Sequence, residues 1–220
     1  MKIKFFDIHS HVNFAAFKTD REAVIKRALE NGTWMMNVGT QKDTSQSAVD
    51  LAHKYLEGVY ATVGLHPIHT SRSYHDKAEL GEEGNEFTSR GEIFDYDFYK
   101  KLASDPKVLA IGECGLDYYR LEPETATKQK EAFIKQIELA VEVDKPLMLH
   151  IRNAYEPALE ILKKYLPVNE HGPTVRGNAH FFAGTLDEAR QFLDLGFTLS
   201  FTGVITFTHD YDEIIRNTPL

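Results

Sequence analysis

Residues Lys107–Asp117, KVLAIGECGLD, limit the architecture of this chain more than any other stretch. Val108, Leu109, Ala110 and Ile111 form an apolar run with no alternating polar position, which suits a strand buried on both faces, as in parallel sheets. The run halts on Gly112-Glu113-Cys114-Gly115, so a carboxylate flanked by glycines stands at the strand's C-terminal end. α/β folds place their chemistry there. Three further strand-like runs finish the same way: FFDIHSH on His9 and His11, PLMLHIR on His150, and NAHFF on His180. One Glu and four His at four strand ends are the donor types of a metal site.

Strand and helix patterns alternate along the whole chain. Strands are predicted at Phe5–Val12, Trp34–Gly39, Val59–Leu65, Lys107 onward, Pro146–Ile151, Asn178–Phe182 and Phe197–Val204. Helices are predicted from a capping box at Thr19-Asp20-Arg21-Glu22, then over Ser45–Leu56, Asp95–Ser104, Thr125–Val143 and Glu156–Leu166. A second capping box, Thr185-Leu186-Asp187-Glu188, opens a helix that stops at Gly196, and Asp210–Asn217 begins another. The polar stretch Ile68–Phe94 has no period and reads as a loop at the strand-end side, either a lid or substrate-selecting element carrying Arg72, Lys77 and Arg90 or a mobile surface insertion. About seven βα units predict a TIM-type (β/α)₈ barrel, C-terminally truncated after about the seventh strand, in one domain over residues 1–220.

Composition narrows the rest. With 220 residues and 42% hydrophobic content the chain can bury one sizeable core. No run approaches the ~18 apolar residues of a membrane span. Cys114 is the only cysteine, which rules out an internal disulfide and fits a reducing cytoplasm. The formal charge of -8 argues against a generally basic nucleic-acid surface. It leaves phosphate substrates open, because bound metal ions supply positive charge locally.

FFDIHSH, VGLHP, IGECGLDYY, KPLMLHIRNA and AHFFAG resemble the motifs of the TatD family of metal-dependent DNases, in the family's order and spacing, from about Phe5 to the last residue. The resemblance implies an amidohydrolase-type barrel that hydrolyses DNA ends or another phosphodiester. It implies divalent metal ions held by His9, His11, Glu113, His150 and His180. The family's remaining ligand, an Asp in an E-T-D segment on the eighth strand, has no counterpart here. Weaker metal binding, little or no turnover and self-association through open sheet edges are therefore expected. The same motifs suit a metal-dependent ester or amide hydrolase, such as an aminoacyl-tRNA deacylase, and a non-catalytic fragment of such a protein.

The residues themselves fit two ions, whether magnesium, manganese or zinc. In a strand, positions i and i+2 point the same way, so His9 and His11 can face one ion. Glu113 is the candidate bridge and the candidate catalytic residue, since paired ions activate water and clamp the oxygens at phosphorus. Asp7 and Asp117 read as carboxylates that orient the imidazoles. His66 and Arg152, just past strand ends, read as substrate contacts, Arg152 through a bidentate pair with phosphate. The alternatives are a turn role for His66 before Pro67, an ion pair for Arg152, and a brace for the first turn in Asp7. Cys114 reads as a small packed residue rather than a nucleophile. Phe181 and Phe182 read as barrel core rather than a base-stacking platform, although one could do both. His53, His69, His75, His171 and His209 read as solvated.

Overall fold

Seven apolar runs form one parallel sheet: β1 Phe5–Ser10, β2 Thr33–Val38, β3 Val59–Val63, β4 Val108–Asp117, β5 Leu147–Arg152, β6 Gly177–His180 and β7 Phe197–Leu199. A computed structural model describes residues 3–72, 74–75, 87–119, 123–166, 168–169, 172–173 and 175–219. The strands lie side by side in chain order, and every pairing is parallel. Each connection therefore crosses over through a helix or long loop, as parallel pairing requires. Among the described residues no eighth strand joins the sheet.

The sheet is curled into part of a barrel. Five strand spacings of ~4.8 Å would hold β1 and β6 about 24 Å apart in a flat sheet. Yet the rings of His9 on β1 and His180 on β6 stack with centroids 3.4 Å apart. Only a sheet bent round on itself brings those side chains together.

Outside the sheet lie α1 Arg21–Glu30, α2 Lys42–Ala52, α3 Tyr96–Ala103, α4 Pro123–Val143, α5 Tyr155–Tyr165, α6 Leu186–Asp194 and α7 Asp212–Asn217. The apolar faces of α2 to α7 close one core with β3 to β7, containing Tyr99, Phe133, Ile137, Leu162 and Phe192, while Ile25 of α1 packs in a second cluster with Met35 and Val59. α4 also buries two glutamines seven positions apart, two turns along one face. The Gln136 amide accepts from the Leu65 N–H at 2.8 Å and donates to the Leu65 carbonyl at 3.0 Å. Gln129 does the same for Asp117, at 2.8 and 2.9 Å. Each amide substitutes for a missing neighbouring strand and fixes the chain end of β3 or β4, where the site is built. No described helix is long and apolar enough to cross a membrane.

Several local expectations are corrected. β4 does not halt at its glycines. One extra residue is absorbed between Ile111 and Cys114, and Cys114–Asp117 then pair with Leu149–Arg152. Such a bulge re-aims a side chain, and Glu113 sits inside it. A Cβ on Gly115, at φ +136°, would run into the His150 carbonyl, so this close strand approach needs glycine. The Thr19 capping box does not form: α1 starts at Arg21 with Asp20 before it, and no side-chain cap bond is made. Arg21 instead turns back to the carbonyls of Val12, Asn13 and Phe14. The Thr185–Glu188 box is present. α2 begins three residues earlier than Ser45, where Thr44 Oγ1 accepts the Gln41 N–H at 3.0 Å. In the segment after β3, a short 3₁₀ turn, Pro67–Thr70, precedes a two-residue pairing of Tyr74–His75 with Phe87–Thr88. Lys77 and His171, and the side chain of His75, lie outside the described residues.

Candidate metal centre

Glu113, 4% exposed, lies at the middle of the curled sheet with imidazoles on both sides of its carboxylate. Its Oε2 is 3.5 Å from His9 Nε2 and 3.9 Å from His11 Nε2. Its Oε1 is 3.2 Å from His150 Nδ1 and 3.7 Å from His66 Nε2. His9, Glu113 and His180 each bring a donor atom within 4.8 Å of the others, and so do His66, Glu113 and His150. The backbone sets this up. β1 carries a bulge between Asp7 and Ser10, and His11 lies just past the strand end, yet the two Nε2 atoms come within 3.2 Å. His150 and His180 are direct partners across β5 and β6.

Hydrogen bonds to the far ring nitrogens decide what each imidazole offers. His11 Nδ1 lies 3.2 Å from the Val38 carbonyl, which can only accept. Nδ1 therefore carries the proton and the Nε2 lone pair faces Glu113 and His9. His66 is the reverse. Its Nδ1 accepts the Ile68 N–H at 3.2 Å, so a neutral ring carries its proton on Nε2. That nitrogen presents a donor, and His66 is disqualified as a ligand despite its place in the second trio. His9 Nδ1 is buried without a partner.

The electrostatics follow from crowding. Burial and the neighbouring His150 hold His66 well below the usual imidazole value, so it is neutral. Burial, then His9, lowers His180 to about 3. Burial also lowers His11. Glu113 runs the other way: burial opposes its charge, but His66, His150 and His9 outweigh it and hold the carboxyl well below its usual range. His150 is likewise opposed by burial, yet bonds to Asp117 and Glu113 raise it to about 9. As an imidazolium it donates to both carboxylates, at 2.9 Å to Asp117 and 3.2 Å to Glu113.

The other predicted residues fall in different places. Asp117 meets His150, but it also accepts from Arg152 Nε at 3.0 and 2.9 Å, which with His150 pulls its carboxyl down to about 2 against burial. Arg152 thus makes an ion pair with Asp117 and lies over the Tyr119 ring at 4.3 Å. Asp7 is not brought to an imidazole. It is exposed, and its carboxylate accepts the His9 backbone N–H at 3.1 Å, because the bulge in β1 turns that N–H toward it. Arg90 pairs with Asp43 and Asp212 with Arg216. Cys114 is fully buried, and burial pushes its thiol up.

A cavity of about 450 Å³ opens over the cluster, lined by His9, His11, His66, Glu113, His150 and His180 on its polar side, with Arg152 beside them. Two of its lining residues were misjudged from sequence. His69 is not solvated: it is 8% exposed and bonds Ser89 at 3.2 Å. Its spacing of three from His66 on a 3₁₀ turn, where i and i+3 eclipse, was the available signal. Phe182 is core, at 1% exposed, but Phe181 is 44% exposed and faces the cavity. A left-handed φ of +47° at Phe181 turns the ring out.

The donor set fits divalent cations. Ligand bonds near ~2.1 Å leave neighbouring donor atoms roughly 3–3.5 Å apart, the range of the His9–His11 and His150–Glu113 contacts. Glu113 stays charged though buried, and three of its imidazole neighbours stop at 3.5–3.9 Å, farther than a hydrogen bond, so its oxygens keep acceptor capacity for a cation. His9, His11, His150, His180 and Glu113 can supply ligands, with an ion replacing the His9–His11 contact and the proton that His150 holds.

A curled parallel sheet with a shared carboxylate and converging imidazoles at its C-terminal rim defines a metallohydrolase of the barrel type. Residues 6–220 match the family model described as TatD related DNase, and the chain belongs to that family of metal-dependent hydrolases. It is 34% identical over 217 residues to YabD of Bacillus subtilis (strain 168), described as an uncharacterized metal-dependent hydrolase, covering 97% of this chain and 75% of YabD. It is 34% identical over 218 residues to the 3'-5' ssDNA/RNA exonuclease TatD of Erwinia tasmaniensis, covering 98% and 74%. Among solved structures, the TatD homolog YJJV from Escherichia coli k12 superposes with a TM-score of 0.75 at 24% identity, over 98% of this chain and 75% of that one. A TatD family hydrolase from Entamoeba histolytica gives 0.76 at 23% identity, over 100% and 71%.

Proposed function

We propose that this chain is a nuclease that hydrolyses phosphodiesters at the ends of single-stranded DNA with two divalent ions, magnesium, manganese or zinc. The observation that carries the reading is Glu113, whose two oxygens face different imidazoles. His9, His11 and His180 would hold an ion on the Oε2 side, and His150 one on the Oε1 side, with Glu113 as the shared ligand. When bound, the ions lower the pKa of water and neutralise the phosphate oxygens of an in-line displacement. The exonuclease named among the relatives supports the choice of substrate.

The chain's own residues orient the substrate. His66 presents an Nε2–H toward the cavity beside Glu113, where a phosphate oxygen can accept it. Arg152, steadied by Asp117 and Tyr119, adds positive charge at the rim of the same cavity. These local charges let a chain with a formal charge of -8 accept a polyanion. The free edges of β1 and β7, with exposed Phe5 and Phe207 nearby, would pair with a second copy.

The test is hydrolysis of a single-stranded oligonucleotide with each metal in turn, beside Glu113→Ala and beside an aminoacyl ester substrate. Nucleotide release that Glu113→Ala abolishes supports the reading. A folded, metal-binding chain that cleaves only the ester, or nothing, overturns it.

A further inference from the structure

We infer that the exposed Phe181 ring stacks an unpaired nucleobase of the strand whose phosphate lies at the metal centre, with Phe14, which lines the same cavity, as a second ring for a neighbouring base. This rests on the nuclease reading and names the part of the substrate that the apolar lining of the cavity takes.

The cavity lining is chemically mixed. Besides the imidazoles, Glu113 and Arg152, the lining includes the apolar Phe14, Ile68, Ile151, Tyr155, Phe181 and Ala183. A bare phosphodiester needs only the polar residues. The two phenylalanines also adjoin the imidazoles directly: Phe14 lies 4.4 Å from the His11 ring and Phe181 6.3 Å from the His180 ring. A planar group resting on either ring would therefore sit next to a phosphate at the imidazole cluster.

Both rings are held for the purpose. Arg21 donates to the carbonyls of Val12, Asn13 and Phe14 at 2.6, 2.9 and 2.8 Å, which clamps the loop after β1. The Tyr155 hydroxyl accepts the Ala183 N–H at 2.7 Å, and the Phe182 N–H donates to the Ser200 carbonyl at 2.9 Å, which clamps the loop after β6. Phe181 itself keeps a φ of +47°, which costs an L-residue conformational energy, and leaves an apolar ring 44% exposed. Neither the core nor the turn gains from that ring, whereas a base would. Every base has a π-face, so the platform favours single-stranded ends over paired ones without reading their sequence.

The test is binding of a phosphorothioate-protected tetranucleotide carrying 2-aminopurine at its terminal position, with magnesium, manganese or zinc present in turn. The same strand with an abasic terminus is the control. Phe181→Gly suits the left-handed φ and so keeps the fold, and Phe181→Leu keeps the bulk without the π-face. Wild type should quench 2-aminopurine and bind it about 5- to 100-fold more tightly than either variant does. On the abasic strand wild type and variants should bind alike. Equal wild-type affinity for both strands, or quenching unchanged in both variants, overturns the inference and leaves the nuclease reading standing. Failure of wild type to bind either strand with magnesium, manganese or zinc removes both.

Discussion

The Ile68 backbone N–H donates to His66 Nδ1 at 3.2 Å, and that bond separates His66 from the ligands around it. With Nδ1 committed as an acceptor, Nε2 must carry the proton of the neutral ring. His66→Ala should therefore leave metal binding by calorimetry within about twofold while lowering kcat by roughly 10²–10³, the usual cost of one lost oxyanion donor. His150→Ala should lose metal as well. A His66 variant that loses metal as His150→Ala does would return His66 to the ligand set.

Asp117 holds both His150 and Arg152, and its own backbone is clamped by Gln129. Carboxylates behind a ligating imidazole fix its ring and raise its basicity. Asp117→Asn keeps the shape but loses the charge, so metal affinity should fall about 10- to 100-fold. Arg152→Lys should raise KM and spare metal affinity, because the fork that meets Asp117 is lost while the cation remains. Titration calorimetry of the two variants separates these effects. An Asp117→Asn protein with wild-type affinity would show that His150 needs no support.

Much of this site was legible because its parts stand in strand-end motifs. An apolar run that stops on His or Glu needs no tertiary information to be suspicious, and Glu113, His150 and His180 were all found that way. What escaped depended on contacts the chain order hides. Gln129 and Gln136 look like the polar face of an amphipathic helix, and only the docking of α4 against the ends of β3 and β4 turns them inward. His69 and Phe181 were misplaced because burial and a left-handed φ are set by local turns rather than by periodicity. Asp7 failed for a similar reason: a bulge in β1 gives its carboxylate a backbone N–H before any imidazole.

Asp105 opens the turn into β4 and gives a pH signature remote from the site. Its Oδ1 accepts the Lys107 N–H at 2.8 Å and its Oδ2 lies 2.7 Å from His53 Nε2. Burial opposes its charge, but His53 and the Lys107 N–H prevail and its carboxyl is lowered. A depressed carboxyl stabilises the fold above the unfolded value, ~3.9, and that gain disappears as pH falls through the folded one. Asp105→Asn should cost about 0.5–1 kcal/mol near neutrality, a modest figure because a quarter of the side chain is exposed and solvent screens it. Urea titrations in steps below pH 7 should show a deficit that is full at neutrality and shrinks as pH falls below the unfolded carboxyl value. A constant deficit would assign the effect to packing.

Among the described residues, β1 pairs only with β2 and β7 only with β6, so each has one unpaired edge. Unpaired backbone edges beside exposed apolar side chains template association. Phe5 is 69% exposed on β1, and Phe207, after β7, is 80% exposed. The sheet's curl stacks His9 on His180 and so already brings β1 close to β6, which leaves a second copy to meet the outer rims rather than the cavity. Sedimentation velocity should therefore show concentration-dependent self-association in which metal binding is unchanged. Phe5→Lys should shift the equilibrium toward monomer, because a charge on the β1 edge opposes strand addition without touching the core. A single monomeric boundary at every concentration, in the wild-type chain, would show that the curled sheet protects its own edges.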